Sequence, residues 1–192
     1  MTPSDEDQLI RRRRLDRMIP FNGFSPTETY ADGVAITESD LDLTVNCFFS
    51  CRIVYESGDQ GVIAEVGNTT DGLLVGINAS GDLVVRFGTG VDPITAGARV
   101  VIDEGLLPKG RGFYLSWSIN LADGVMVWID GKVVGREVIT GAPTVWSAGE
   151  DGGYIAVSAA IVTEPGITVA YDGTVLESLK YFNQTAVQYG AG

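Results

Sequence analysis

Glu38-Ser39-Asp40-Leu41-Asp42 puts three carboxylates at alternate positions. In an extended strand, residues i, i+2 and i+4 project from one face, so the three can share a cleft. A pair of carboxylates so placed is the equipment of glycoside hydrolysis, one as acid/base and the other as nucleophile. The competing reading is a solvated outer face on an edge strand, where charge discourages pairing with another chain. That reading is preferred, because the rest of a catalytic set is missing. The sequence contains no histidine, hence neither the commonest general base at neutral pH nor the commonest zinc ligand. Glycine-rich phosphate loops and Ser/His/Asp arrangements are absent as well. The expectation is a protein without enzymatic activity.

Binding chemistry has better candidates. Sugar rings stack on exposed aromatic faces while polar groups fix their hydroxyls. Trp128 has the opposite parity to Val127 and Ile129, so it faces away from the main core. Trp146 sits in the loop Gly141–Gly153, near Glu150 and Asp151. These two tryptophans are the candidate carbohydrate-binding residues. Their plainer readings are a minor core under a loop and a subunit contact. Trp117 shares the parity of Leu115 and Ile119 and belongs to the core. Asp71, Asp92, Asp123, Glu150, Asp151 and Asp172 are loop acids of the kind that ligate calcium. Nearly all neighbour a glycine, as turn formers do. No ligand set is assigned among them, and no cofactor is expected beyond an open question over calcium.

Residues 1–24 differ from everything that follows. Ser4 can cap a helix whose first turn is Asp5-Glu6-Asp7, and Arg11, Arg12, Arg13, Arg14 and Arg17 complement its C-terminal dipole. Pro20 ends it. Four consecutive arginines can neutralise phosphates. A net charge of −12 and the lack of interleaved aromatics disfavour nucleic acid, however. The five arginines are therefore read as partner-docking residues, for an acidic protein surface or for self-association into a homo-oligomer. The basic run is followed by Leu15-Asp16-Arg17 rather than an apolar stretch, so neither a secretory leader nor membrane insertion is expected.

The elements that position these residues are strands. At 192 residues the chain fits one all-β domain, read as 25–192 after the arm, and buries roughly 70% of its unfolded surface. Phe113, Leu115, Trp117 and Ile119 alternate with Tyr114, Ser116, Ser118 and Asn120, the period of a half-buried strand. Asp123-Gly124 turns the chain, Val125, Val127 and Ile129 face inward, and Asp130-Gly131 is a strong hairpin signal. Leu41–Tyr55 reads as a long strand with Cys47, Phe49, Cys51 and Ile53 on one side and Ser50 and Arg52 on the other. Cysteines four apart in a strand lie roughly 13 Å apart, too far for a disulfide. Buried thiols, folded in a reducing cytosol, are expected. Val62–Val66, Leu73–Ile77, Leu83–Phe87, Arg99–Ile102, Tyr154–Ile161, Ile167–Tyr171 and Leu176–Phe182 complete the predicted strands.

Three of these stretches carry a family resemblance. Residues 125–135, VMVWIDGKVVG, resemble the aromatic Asp-Gly hairpin of laminin-G-like domains in the concanavalin A-like lectin/glucanase superfamily. The strand Phe113–Asn120 resembles one that precedes the hairpin in that family and also carries an inward Trp. Residues 173–183, GTVLESLKYFN, resemble their closing strand. The resemblance covers roughly residues 30–185 and implies a two-sheet antiparallel jelly-roll sandwich, here with a short helical N-terminal arm. Some members are glucanases with a Glu-x-Asp-x-x-Glu strand, a spacing that Glu38, Asp40 and Asp42 do not reproduce. Several bind calcium at one rim of the sandwich.

Three functions follow, in order. The first is a non-enzymatic structural or adhesive virion protein, such as a phage capsid decoration or tail-associated protein. It would be made in the host cytoplasm and anchored on the virion surface by its arm, with a virion or capsid protein as partner. The second is a carbohydrate-binding module or host-surface adhesin that takes a surface glycan. The third is a glycoside hydrolase, which the missing catalytic set disfavours.

Overall fold

The computed structural model describes residues 28–30, 46–67, 70–90, 94–142, 154–155 and 162–184. The arm, the Glu38–Asp42 carboxylates, Asp92, Trp146, Glu150 and Asp151 lie outside the described residues. Among the described residues eleven strands run in the order β1 (Glu28–Tyr30), β2 (Asn46–Val54), β3 (Gly61–Gly67), β4 (Asp71–Ile77), β5 (Leu83–Thr89), β6 (Ala96–Ile102), β7 (Gly112–Asn120), β8 (Gly124–Ile129), β9 (Lys132–Glu137), β10 (Tyr154–Ile155) and β11 (Thr174–Gln184). They form a six-stranded sheet, β1-β11-β2-β7-β8-β9, and a five-stranded sheet, β10-β3-β4-β5-β6. All strand pairs are antiparallel. The two sheets make the jelly-roll sandwich.

The core lies where the inward faces meet. Cys47, Phe49, Cys51 and Ile53 of β2 are buried with Phe113, Leu115, Trp117 and Ile119 of β7. From the second sheet come Leu73, Val75, Val85 and Phe87. Phe49 and Trp117 are register partners whose rings stack at 5.4 Å between centroids and 8° between planes. Aromatic pairs of this kind contribute about 0.5–1.5 kcal/mol beyond the area they bury. Both cysteine thiols are buried without a disulfide, and burial pushes the Cys51 thiol up to about 12.

The turn chemistry follows the sequence. Asp130 and Gly131 take φ of 48° and 75°, the doubly positive pair of a type I′ hairpin turn. Asp130 also accepts a hydrogen bond from the Tyr114 backbone N–H at 3.0 Å, tying the turn to β7.

One predicted strand is corrected. Ile167–Tyr171 makes only isolated bridges, Glu164 with Ile167 and Val62 with Ala170. Pro165 and Gly166 turn the chain just before it, and its backbone bonds to the sheet go to Val62 rather than along a ladder. The segment Val162–Tyr171 is instead a strap across the outer face of the second sheet. Val162 and Ile167 bury Val62, Leu74 and Val84 in a second apolar cluster. Backbone bonds from Val62 N to Val169 O (2.8 Å) and from Tyr171 N to Val62 O (3.0 Å) fasten it.

Charge fastens the strap too. Arg86 is fully buried on β5 and donates to the carbonyls of Thr163 and Gly90. Glu164, 3% exposed, accepts from Arg99 at 2.7 Å and lies 4.0 Å from Arg86. Glu65, also buried, accepts the Val162 N–H at 3.2 Å. Removing one member of such a group leaves another charge buried and uncompensated. Arg86→Ala should therefore lower unfolding free energy by about 3–5 kcal/mol, read from the urea midpoint. Arg99→Ala, at a guanidinium 40% exposed, should cost less.

At one end of the sandwich Tyr55 is buried and donates its hydroxyl to Glu104 at 2.8 Å, in a 3₁₀ turn at Glu104–Leu106. Desolvation, then the bond to Glu104, push the Tyr55 phenol up from 10 to about 12. Between those values the unfolded chain loses this proton while the folded chain keeps it. Stability should be intact below about pH 10 and fall as pH rises toward 12. Alkaline denaturant titrations of wild type and Tyr55→Phe check this, the variant losing less stability across the window.

Candidate functional site

A pleated sheet has two faces, and sealing one against the core leaves the alternate residues outside. On the five-stranded sheet the strap covers that outer face over β3, β4 and β5, while Arg99 and Val101 of β6 stay exposed. On the six-stranded sheet the outward residues fall into register across β11, β2, β7, β8 and β9. Ser50, Ser116, Trp128 and Val133 form one row. Phe48, Ser118, Met126 and Arg136 form the row beside it. Glu177, Arg52 and Tyr114 form the row on the other side.

The middle row is low where it carries serine. Ser50 and Ser116 are buried and their hydroxyls hydrogen-bond at 3.0 Å. Taller groups stand on both sides of them. Trp128 is half-buried, its ring 5.7 Å from that of Phe48 at an angle of 49°. The opposite wall is polar. Arg52 lies over the Tyr114 ring with its guanidinium carbon 5.5 Å from the centroid, a cation–π contact. Tyr114 donates its hydroxyl to Glu177 at 2.9 Å, and Arg52 pairs with the same carboxylate at 3.6 Å.

Local sequence seats this wall. A Cβ on Gly112 would lie 2.6 Å from Leu176 Cδ1 and 3.3 Å from Arg52 Nε. The bare backbone at that position lets both side chains close over the end of β7. The result is a half-buried indole on the same sheet face as a fixed donor/acceptor cluster one row away. Such an arrangement can stack the apolar face of a ring and hydrogen-bond its substituents.

A second concavity lies at the edge where β6 approaches the chain after β9. It has a volume of about 300 Å³ and is lined by Ile94, Ala98, Arg99, Glu137, Val138 and Thr140. The Thr140 N–H and hydroxyl both donate to Gly97 O, at 2.9 and 3.2 Å. Arg99 is engaged by Glu164, and none of the described lining residues is aromatic. The Trp128 face is therefore the better platform for a sugar.

The structure sorts the predicted residues. Trp128 points outward and Trp117 is fully buried. Asp123, in the turn before β8, and Asp172, just before β11, lie at opposite ends of the six-stranded sheet. Asp172 accepts the Gln60 N–H at 2.7 Å and Asp71 accepts the Thr70 hydroxyl at 3.1 Å. Among the described residues no three acidic, histidine or cysteine side chains converge as a metal site. Phe48, Tyr114 and Glu177 were not singled out from sequence, nor was Arg52 given a role. Their outward parity was legible, but their meeting depends on cross-strand register.

No family model matches the chain, and no curated protein sequence matches it. Solved structures do resemble it. The Ruminococcus gnavus IT-sialidase CBM40 bound to α2,6 sialyllactose superposes with a TM-score of 0.52 at 8% identity, over 84% of this chain and 92% of that one. The leech intramolecular trans-sialidase, complexed with 2,7-anhydro-Neu5Ac, gives 0.52 at 9% identity, over 84% of this chain and 26% of that one. The mouse laminin alpha1 chain, domains LG4-5, gives 0.47 at 12% identity, over 81% and 38%. The fold is a concanavalin A-like jelly roll. At these identities the likeness is one of fold.

Trp128 is held by Phe48 and its strand rather than by the core, so Trp128→Ala should leave a folded protein. Loss of the aromatic pair, about 0.5–1.5 kcal/mol beyond the area the indole buries, corresponds by itself to a fall in Tm of about 1–6 °C. Calorimetry measures it.

Proposed function

We propose that this chain is a non-enzymatic carbohydrate-binding module that holds a glycan on the outward face of its six-stranded sheet. The observation that carries the reading is a half-buried outward Trp128 in the row next to the Arg52–Tyr114–Glu177 cluster. Trp128 supplies the stacking surface, while Arg52 donates and Glu177 accepts hydrogen bonds.

The fold neighbours support this reading over the virion reading. One is a sialidase CBM40 bound to α2,6 sialyllactose and another a trans-sialidase complexed with 2,7-anhydro-Neu5Ac. The virion reading rests on the arginine arm, which lies outside the described residues, and nothing in the fold adds to it. An adhesin that meets glycans at a surface is one form of the proposed activity. Among the described residues no helix is long and apolar enough to cross a membrane.

Trp128→Ala should weaken binding on a glycan array at least about tenfold, equivalent to about 1.4 kcal/mol, while the variant stays folded. Unchanged binding would remove Trp128 from the site. Turnover of any bound glycan, abolished by Glu38→Gln or Asp40→Asn, would overturn the non-enzymatic assignment.

A further inference from the structure

We infer that the Trp128 face selects neutral sugars over acidic ones, with Glu177 as the specificity-determining residue. The inference rests on the glycan-binding reading and deepens it. Acidic sugars are recognised by cations whose donors are available to the ligand carboxylate. Arg52 already has a carboxylate beside it. Its guanidinium pairs with Glu177 at 3.6 Å and stacks on Tyr114, and its Nε is buried without a hydrogen-bond partner among the described residues.

Glu177 is itself fixed in place. Tyr114 donates to the same Oε1 atom that Arg52 approaches, so the carboxylate stays beside the cation. The side chains are 41% and 30% exposed, which lets ligand hydroxyls reach both. A sugar hydroxyl can donate to Glu177 and accept from Arg52 without breaking their pair. A ligand carboxylate on Arg52 would instead stand next to the Glu177 carboxylate, and like charges at that separation repel. The net charge of −12 adds a long-range field of the same sign. The two fold neighbours described above are named with sialylated ligands or a sialic acid derivative, so the inference separates this chain from them by ligand charge.

The test is an array of immobilised oligosaccharides with neutral, sialylated and uronic-acid termini, probed with full-length wild type, Glu177→Gln and Trp128→Ala. Wild type should bind neutral glycans, and Glu177→Gln should move the neutral-to-acidic ratio at least about tenfold toward acidic glycans. Preferential wild-type binding to acidic glycans, lost in Trp128→Ala, would overturn the inference and leave the glycan-binding reading standing. Binding to no glycan would overturn both. An unchanged ratio in folded Glu177→Gln would remove Glu177 as the determinant. A measurement on wild type alone guards against a poorly folded variant. Its affinity for the neutral glycans should change little between about 0.05 and 0.5 M salt, because no ligand charge is there to be screened. A steep loss of affinity with salt would count against the inference.

Discussion

The stack of Phe49 on Trp117 is the contact on which the arrangement of this protein depends. The two are register partners on β2 and β7, the central strands of the larger sheet. Their burial fixes which side of each strand faces the core. Because side chains alternate strictly along a strand, a slip of one residue would exchange the two faces. Pinning Phe49 inward sends Phe48, Ser50 and Arg52 outward, and pinning Trp117 inward does the same for Ser116 and Ser118. The candidate site is thus the reverse side of the core, specified by the same packing.

The two outer faces have different fates. The smaller sheet carries Val62, Leu74 and Val84 outward, apolar groups that water would not stabilise, and the strap buries them. Arg86 to Thr163 O, Arg99 to Glu164 and the Val162 N–H to Glu65 join strap and sheet through charge-assisted hydrogen bonds. Buried charges of this kind are costly unless every partner is present, so that face is covered over β3, β4 and β5 by construction. The larger sheet carries serines, a half-buried tryptophan and an exposed ion pair outward. Its outward side chains are of the kind that ligands use, and a ligand there meets no apolar cluster that must first be uncovered.

Charge on this protein works locally against its overall sign. The chain is strongly acidic, yet Arg52 and Arg136 stand on the outward face. Arg136 is exposed and reaches the Asp123 carbonyl at 3.5 Å. Arg52 is balanced by Glu177. A balanced pair offers a donor and an acceptor side by side, which suits hydroxyl-rich ligands better than either charge alone.

The sequence by itself determined the strands, their inward faces and their turns. Alternation and hairpin dipeptides are local signals, carried by neighbours such as Leu115-Ser116-Trp117 and Asp130-Gly131. It determined the parity of Trp128 for the same reason, and the burial of two unbridged cysteines from strand geometry. Apolar alternation at Ile167–Tyr171 predicts a strand, and only packing on Val62, Leu74 and Val84 makes the segment a strap. The tertiary structure decided what Trp128 faces. Tyr114 and Glu177 are 63 residues apart, and only the register of β11, β2 and β7 brings them to Arg52. It likewise decided which outer face is covered, because the strap meets its sheet through contacts distant in sequence, such as Arg86 with Thr163. Period and turn type are properties of adjacent residues; partners across strands exist only once the sheets have assembled.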